Sequence, residues 1–438
     1  MHDRANLITV VFVFTILIST GCGNSNSGPA LTTSDVNAIP TSALADAAQA
    51  SSGLTKTVES VLNQLRGVYL FPDAIPENTS EFETVEMLLA SLDDPFSKVI
   101  DEFSDTIDTF FGEFRGIGVQ IQQIDDITFF PVVFPTQPAA VAGVRANDIL
   151  LGIDSEWVEG KTIPEIVEML QRDIEEPVHL RIQRDDEIVT LSPIFSEFQR
   201  SSVFTTAITE QIAYVGVFTF LQRSSHPEGT DGEISDFLIR DSSPVIIMDF
   251  RDNLGGTLED SIQTADLFVE SGTLIELFDL DHTDRRSAIP GDPGEGRTVV
   301  LLQNGHSASA SEIVIASLRD NLSSHIIGTR SFGKAVSQSF FRFTDDPGGL
   351  QLVTGGIRSP SGESYNEIGI EPDQVVAFVL DPESFSDSQL DAAIAFAMTL
   401  LDLNPDEPIQ PSALEQIKAF RQTLDTGGSP ILLDYIEQ

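Results

Sequence analysis

The chain has 438 residues, 41% of them hydrophobic, and a formal net charge of −44. That length accommodates two or three domains with a sizeable core. So negative a field repels phosphate backbones and anionic headgroups, and no basic stripe is present, so nucleic acid is not a partner. The single cysteine, Cys22, rules out an internal disulfide and a four-cysteine zinc site, and the six histidines form no His-Glu-x-x-His motif. No metal and no cofactor is expected.

At the amino terminus Arg4 and the free amine precede an apolar run, Leu7–Ile18, too short for a comfortable membrane span. Ser19-Thr-Gly-Cys22 follows and resembles a bacterial lipoprotein cleavage box, with Ser19 where leucine is usual. The expectation is a signal peptide over 1–21, a lipid anchor on Cys22, and residence in the cell envelope or periplasm. A plain signal peptide or an uncleaved anchor would export the chain as well. Residues 22–53, rich in Gly, Ser, Asn, Thr and Ala, read as a flexible tether.

Helical spacing begins with Leu54, Val58, Val61, Leu62 and Leu65, and a second helix carries Phe82, Val85, Leu88, Leu89 and Leu92; together they make a helical segment over 54–113. Residues 114–195 are β-rich. They open on Phe114-Arg-Gly-Ile-Gly-Val119 and continue with a short helix at Pro138–Val144 and a strand at Asp148–Leu151. Ile163, Ile166, Val167, Leu170 and Ile174 predict an amphipathic helix. Val178–Gln183 and Ile188–Leu191 predict a hairpin around Asp185-Asp186.

From 196 to 380 strands and helices alternate, as in a largely parallel sheet covered by helices. Ala213–Phe220, Val245–Phe250, Val299–Gln303 and Ile326–Ile327 are the strand runs. Leu258, Ile262, Ala265, Phe268 and Val269 give a helix closed near Gly272. The polar stretch Asp279–Gly296 reads as a surface loop. In the tail, 381–438, Leu390, Ile394, Met398 and Leu401 mark one helix. Ser412-x-x-Glu415 is a capping-box signature for another. Both should dock on the core.

The chemistry concentrates in Asn304–Gln338. Small residues from Ser307 to Ser311 let the backbone turn from a buried strand into a helix carrying Ile313, Val314, Ser317 and Leu318. A serine at such a turn meets free backbone N–H groups and the positive end of a helix. Lysine occurs at only five positions, and Lys334 is the one charge in the run Ser331–Phe341. Burial discourages an ammonium and can make a lysine a base near neutral pH. Alone, such a lysine more often packs its stem with its head in water, and a serine like Ser309 more often caps a helix. His306 stands three residues before Ser309, with no partnering acid suggested, and reads as a solvated loop residue; Asp320 reads as structural.

Taken together these residues resemble the C-terminal processing peptidases, also called tail-specific proteases. The family's Ser-Ala-Ser-Ala-Ser-Glu run stands at Ser307–Glu312, and its Phe-Gly-Lys-Gly-x-Val-Gln run at Phe332–Gln338, with Ala335 for a glycine and Ser337 for a valine. Asp249–Gly256 resembles its Asp-x-Arg-x-Asn-Pro-Gly-Gly, with Leu254 for the proline. Leu92–Ser97 resembles its Leu-Asp-x-x-Ser turn, with one extra residue before the serine, and Ile368–Asp373 its closing Gly-x-x-Pro-Asp, so the resemblance spans most of Thr55–Val376. It implies an α/β peptidase core of the crotonase and Clp-protease type, with an inserted PDZ domain at 114–195 and helical terminal segments. It implies Ser309 as nucleophile, Lys334 as general base and Gln338 as its orienting partner. Backbone N–H groups of Gly255 and Ala310 would form the oxyanion hole. Gly116, Ile117, Gly118 and Val119 would receive a terminal carboxylate, the strand taking up the peptide by β-augmentation. Protein or peptide substrates with apolar C-termini are the implied partners. Two other readings stay open, a catalytically inactive PDZ-containing scaffold and a different acyl-transfer enzyme on the same fold; an inert β-rich linker remains open for 114–195.

Overall fold

The computed structural model describes Val10–Phe12 and residues 54–425, apart from 125–126, 135, 186, 225, 380–386 and 404–408. Cys22 and the tether lie outside the described residues. The chain folds as two compact units. Among the described residues, one holds 54–106 and 338–353, and the other Val10–Phe12, 107–337 and 354–425.

In the smaller unit the first two helices form where the apolar spacing predicts. Val58–Val68, capped by Thr57, buries Val61, Leu62 and Leu65; Val85–Ala90, capped by Thr84, buries Val85, Leu88 and Leu89. The Leu92–Ser97 turn is closed by Asp94, which accepts hydrogen bonds from Tyr69 Oη at 3.1 Å and Ser97 Oγ at 2.6 Å. Strand Lys98–Ile100 then pairs antiparallel with Gly349–Gln351.

In the larger unit the β-rich domain is built from strands Gln120–Ile124, Ile127–Phe129, Ile149–Ile153, Leu180–Arg184 and Glu187–Leu191, paired antiparallel. Val10–Phe12 pairs with the first of them. Helices Pro138–Val141 and Ile163–Leu170 pack against a core that includes Ile121, Phe130, Leu150, Ile166 and Ile182. The second helix ends at Leu170, earlier than its periodicity predicts, and Ile174 stands exposed. Asn147 adopts φ +67°, a left-handed conformation that asparagine tolerates. Asp148 beside it is buried and gripped by Arg184 through Nε at 2.8 Å and Nη2 at 2.7 Å.

The core of the larger unit is a six-stranded sheet in sequential order: β1 (Val203–Ala207), β2 (Ile212–Val217), β3 (Val245–Asp249), β4 (Thr298–Gln303), β5 (His325–Gly328) and β6 (Gln374–Val375). β1 runs antiparallel to β2, and the rest are parallel. The continuous apolar runs are explained by burial of both faces. Alternation sends Ala213, Val215, Ile246, Met248, Val299 and Leu301 to one face, under helices α1 (Gly229–Arg240), α2 (Leu258–Asp266) and α3 (Ala310–Leu322). It sends Ile212, Tyr214, Val245, Ile247, Val300 and Leu302 to the other, under α4 (Ser388–Leu400) and α5 (Pro411–Asp425). The tail helices thus dock on the core.

Two further details depart from expectation. The polar stretch after Asp279 contains a strand, Thr283–Ser287, paired antiparallel with Thr273–Phe278. Its side chains are mostly exposed, so no apolar alternation marks it; main-chain pairing holds it together with an Arg285 Nε bond to Glu276 Oε2 at 2.8 Å. Helix α5 starts at Pro411, which places Ser412 inside the first turn rather than at the cap; proline suits that first position because its missing N–H has no intrahelical partner.

Candidate active site

The loops that follow β3, β4 and β5 at their carboxyl ends, 250–256, 304–309 and 329–335, carry the candidate residues, as open α/β sheets generally do. They are stitched together by backbone and hydroxyl bonds. Ala308 N donates to Asn253 O at 3.0 Å, and Phe332 N to Ser307 O at 3.0 Å.

The structure separates the three serines. Ser307 Oγ donates to Phe250 O at 2.8 Å, and Ser311 Oγ to Asn253 O at 2.9 Å; both are fully buried and tie the helix turn to the 250–253 loop. Ser309 differs. It is partly exposed and sits at the N-cap of α3 with φ +55° and ψ −114°, far from the extended backbone usual at that position. Such a conformation costs of order 1–3 kcal/mol and persists only where its surroundings impose it.

Glu312, three residues on, does the imposing. Its carboxylate is buried and accepts four hydrogen bonds. Oε2 takes Ser309 N at 2.9 Å and Lys334 N at 2.8 Å. Oε1 takes Gly333 N at 2.7 Å and Ser331 Oγ at 2.6 Å. One carboxylate oxygen therefore binds the backbones of the serine and of the lysine, which are 25 residues apart in the chain. Burial pushes the Glu312 carboxyl up, and its four donors oppose that shift. Lys334 is itself buried. Ala335, where the family has glycine, needs no left-handed backbone here: it is absent from the positive-φ residues, and its N–H donates to Asn366 Oδ1 at 3.0 Å. Gln338 stands four residues beyond Lys334 on strand Val336–Arg342, within which the chain passes from the larger unit to the smaller.

Gly255 lies against the serine. Its φ is +113°, and a Cβ there would come 2.9 Å from Ser309 Cβ and 3.2 Å from Ala310 N. Only glycine lets the loop approach so closely. The Gly255 N–H donates to Asn253 Oδ1 at 2.9 Å, so in this state it serves the loop itself. Ala310 is the first residue of α3, and its N–H has no carbonyl one turn back to bond.

Behind the loop lies a cluster of buried charge. Arg251 is fully buried between Asp249 and Asp387, with Nη2 at 2.6 Å from Asp249 Oδ2 and Nη1 at 2.9 Å from Asp387 Oδ1. Burial would raise the Asp249 carboxyl, but Arg251 and Arg421 hold it below the usual carboxylate range. His306 is not a merely solvated loop residue: its Nδ1 lies 3.0 Å from Asp252 Oδ1, and that hydrogen bond raises the imidazole pKa. The acid escaped the sequence because it stands 54 positions away. Asp320 is structural, accepting from Arg319 Nε at 2.7 Å and Ser361 N at 3.1 Å.

In the β-rich domain Gly116 and Gly118 have φ +153° and +78°. Ile117 O accepts from Ala139 N at 2.7 Å, and Gly118 O from Phe134 N at 3.1 Å, so carbonyls of this loop are anchored inward. Val119 forms an isolated antiparallel bridge with Val133. Among the described residues no group of acidic, cysteine or histidine side chains has a metal-binding arrangement. No helix among them is long and apolar enough to cross a membrane.

Comparison with known proteins agrees with this architecture. Residues 211–376 match the model of peptidase family S41, and residues 131–184 that of a PDZ domain. A carboxy-terminal-processing protease of Bartonella bacilliformis is 31% identical over 318 residues, covering 71% of this chain and 73% of that relative. A carboxyl-terminal-processing protease of Synechocystis is 26% identical over 312 residues, covering 67% and 70%. A solved structure from Bacteroides fragilis assigned to the S41 proteases superimposes with a TM-score of 0.55 at 16% identity, covering 82% of this chain and 97% of the other; at that identity it speaks to the fold alone. This chain belongs to the S41 family of carboxy-terminal-processing proteases, serine-type peptidases, and it carries a PDZ domain.

Proposed function

We propose that the protein is an endopeptidase that cleaves exported proteins near their C-termini with a Ser309/Lys334 dyad. The observation that carries this reading is the shared Glu312 oxygen, which bonds the amides of both residues. Neutral Lys334 takes the proton from Ser309 Oγ as that oxygen attacks the peptide carbonyl. The negative oxygen of the intermediate is stabilised by the Ala310 N–H at the positive end of α3. Gly255 N–H contributes a second donor once it leaves Asn253 Oδ1. Protonated Lys334 then gives its proton to the leaving amine, and water repeats the cycle on the acyl-enzyme. Gln338 orients the lysine amine.

The PDZ loop Gly116–Val119 captures the apolar tail, its backbone N–H groups facing the terminal carboxylate. A lipid on Cys22 holds the exported protein at a membrane of the cell envelope, and residues 22–53 give the domains reach. The test is cleavage of an unfolded protein with an apolar C-terminus by wild type, Ser309→Ala, Lys334→Ala and Lys334→Arg. All three variants lose activity if the dyad is correct. Full activity in any of them removes it, and tail binding without cleavage by wild type establishes the scaffold reading instead.

A further inference from the structure

We propose that the last helix, α5, positions the nucleophile: Arg421 holds Asp252, and Asp252 holds the turn that leads into Ser309. The inference rests on Ser309 being the nucleophile. Ala413, Ile417 and Arg421 recur at four-residue spacing on one face of α5, and all three are buried. Ile417 belongs to the apolar cluster on this face of the sheet. An apolar residue at the third position would join it without the cost of taking a guanidinium out of water, which is several kcal/mol unless the charge is well paired.

Arg421 is paired with the active-site loop itself. Its Nη1 donates to Arg251 O at 3.0 Å, and its Nη2 to Asp252 Oδ2 at 2.6 Å. The other oxygen of Asp252 serves the neighbouring loop. Asp252 Oδ1 accepts from Asn304 Nδ2 at 2.8 Å and meets His306 Nδ1 at 3.0 Å. Asn304 Oδ1 returns the grip, accepting from Asp252 N at 3.1 Å and His306 N at 3.0 Å. Asp252 itself stands at φ +62°, a backbone geometry that these bonds maintain. One carboxylate thus joins α5 on one side to residues 304–306 on the other, three residues before the nucleophile. Arg421 contacts neither Ser309 nor Lys334 through any of these bonds; its effect passes through Asp252.

The experiment uses the full mature chain, with Arg421→Lys and Arg421→Met compared to wild type in steady-state cleavage of an unfolded protein with an apolar tail. A displacement of about 1 Å at a reacting group costs up to roughly 100-fold in rate. The expected result is a kcat lower by about tenfold or more in both variants with KM within twofold, because lysine keeps the charge but cannot reach both acceptors. A second readout is the titration of His306 by NMR, assigned with His306→Gln. The charged groups of this cluster are Asp252, Asp249, Asp387, Arg251 and Arg421. Removing the Arg421 charge leaves Asp252 to act on His306 alone, so Arg421→Met raises the His306 pKa. A kcat within twofold of wild type in either variant, or a His306 titration unmoved by Arg421→Met, overturns the proposal. If Arg421→Met fails to fold, Arg421→Lys decides by kcat. If Ser309→Ala retains activity, the dyad fails instead, while the His306 titration still reports on the Arg421–Asp252 link.

Discussion

The sharpest consequence of the site concerns Glu312→Gln. The carboxylate accepts two donors on each oxygen: Ser309 N and Lys334 N on Oε2, Gly333 N and Ser331 Oγ on Oε1. Glutamine retains one accepting oxygen. Its best orientation leaves that oxygen toward Ser309 and Lys334 and turns the amide NH2 toward Ser331, whose hydroxyl can accept. The Gly333 N–H is then buried against another donor. An unsatisfied buried donor costs about 1–3 kcal/mol, and exchanging a charged acceptor for a neutral one weakens each surviving bond by about 1 kcal/mol. Relief of the buried carboxylate's desolvation offsets part of this. The net expectation is a loss of about 3 kcal/mol, with Glu312→Ala losing more because all four donors are stranded. Urea unfolding of the larger unit should show a lowered midpoint at unchanged slope. The same variant should lose kcat, since the Ser309 backbone is no longer held. A Glu312→Gln protein within about 0.5 kcal/mol of wild type, with normal kcat, would mean the carboxylate is not what holds the serine.

Ser309→Gly should abolish cleavage yet stabilise the fold by about 1 kcal/mol, because glycine accepts φ +55° without strain; thermal unfolding checks it. Gly255→Ala should cut kcat by tenfold or more, roughly the effect of misplacing a reacting group, since its Cβ would press 2.9 Å from Ser309 Cβ. Asp231, raised to about 7 by burial and then by Asp260, favours its protonated form in the fold. That contribution is complete below the ordinary carboxylate pKa and is lost as pH rises through about 7, so Asp231→Asn should raise Tm at pH 8.5 relative to wild type but not at pH 4. His306 is raised by its bond to Asp252, so its contribution is complete below pH 6.5 and fades above the folded value; the stability gap between wild type and His306→Gln should narrow from pH 5.5 to 8.5.

The layered core was legible because burial on both faces leaves a plain signal, the unbroken runs in Val245–Asp249 and Thr298–Gln303. The first tail helix was legible from its own apolar spacing; the last was expected from Ser412-x-x-Glu415, and it forms with Ser412 inside its first turn. What escaped has physical reasons. Thr283–Ser287 pairs through its backbone while its side chains face water, so its sequence looks like a loop. Helix α1 carries glycines at 229 and 232 and only Ile234 and Leu238 as buried apolar anchors, too few for a periodic signal. The choice among Ser307, Ser309 and Ser311 rested on family alignment. It acquires a physical basis only when Ser307 and Ser311 are seen bonding Phe250 O and Asn253 O, contacts made 57 and 58 positions away. Glu312 was visible as a motif letter, but its work is done on Ser331, Gly333 and Lys334, which no local pattern connects to it.

A common logic joins these long-range bonds. The strained turn at Ser309 stores of order 1–3 kcal/mol that local sequence cannot hold, since a serine N-cap would relax to extended backbone. The opposing forces come from two directions. Glu312 pulls the Ser309 N–H toward the lysine loop, and Ser307 and Ser311 fasten the flanking positions to the loop after β3. That second loop is itself pinned by Arg251, held between Asp249 and Asp387 at the cap of α4. The Glu312 and Arg251 anchors are buried charge-assisted bonds, stronger than the neutral bonds of Ser307 and Ser311. Deleting either direction should let Ser309 relax, and both deletions should cost kcat more than KM. A double variant of Glu312→Gln with Asp387→Asn tests this coupling. If the two sides restrain one strained turn, their kcat losses are less than additive, because the first relaxation already releases the serine. Full additivity would mean the two anchors hold independent features of the site.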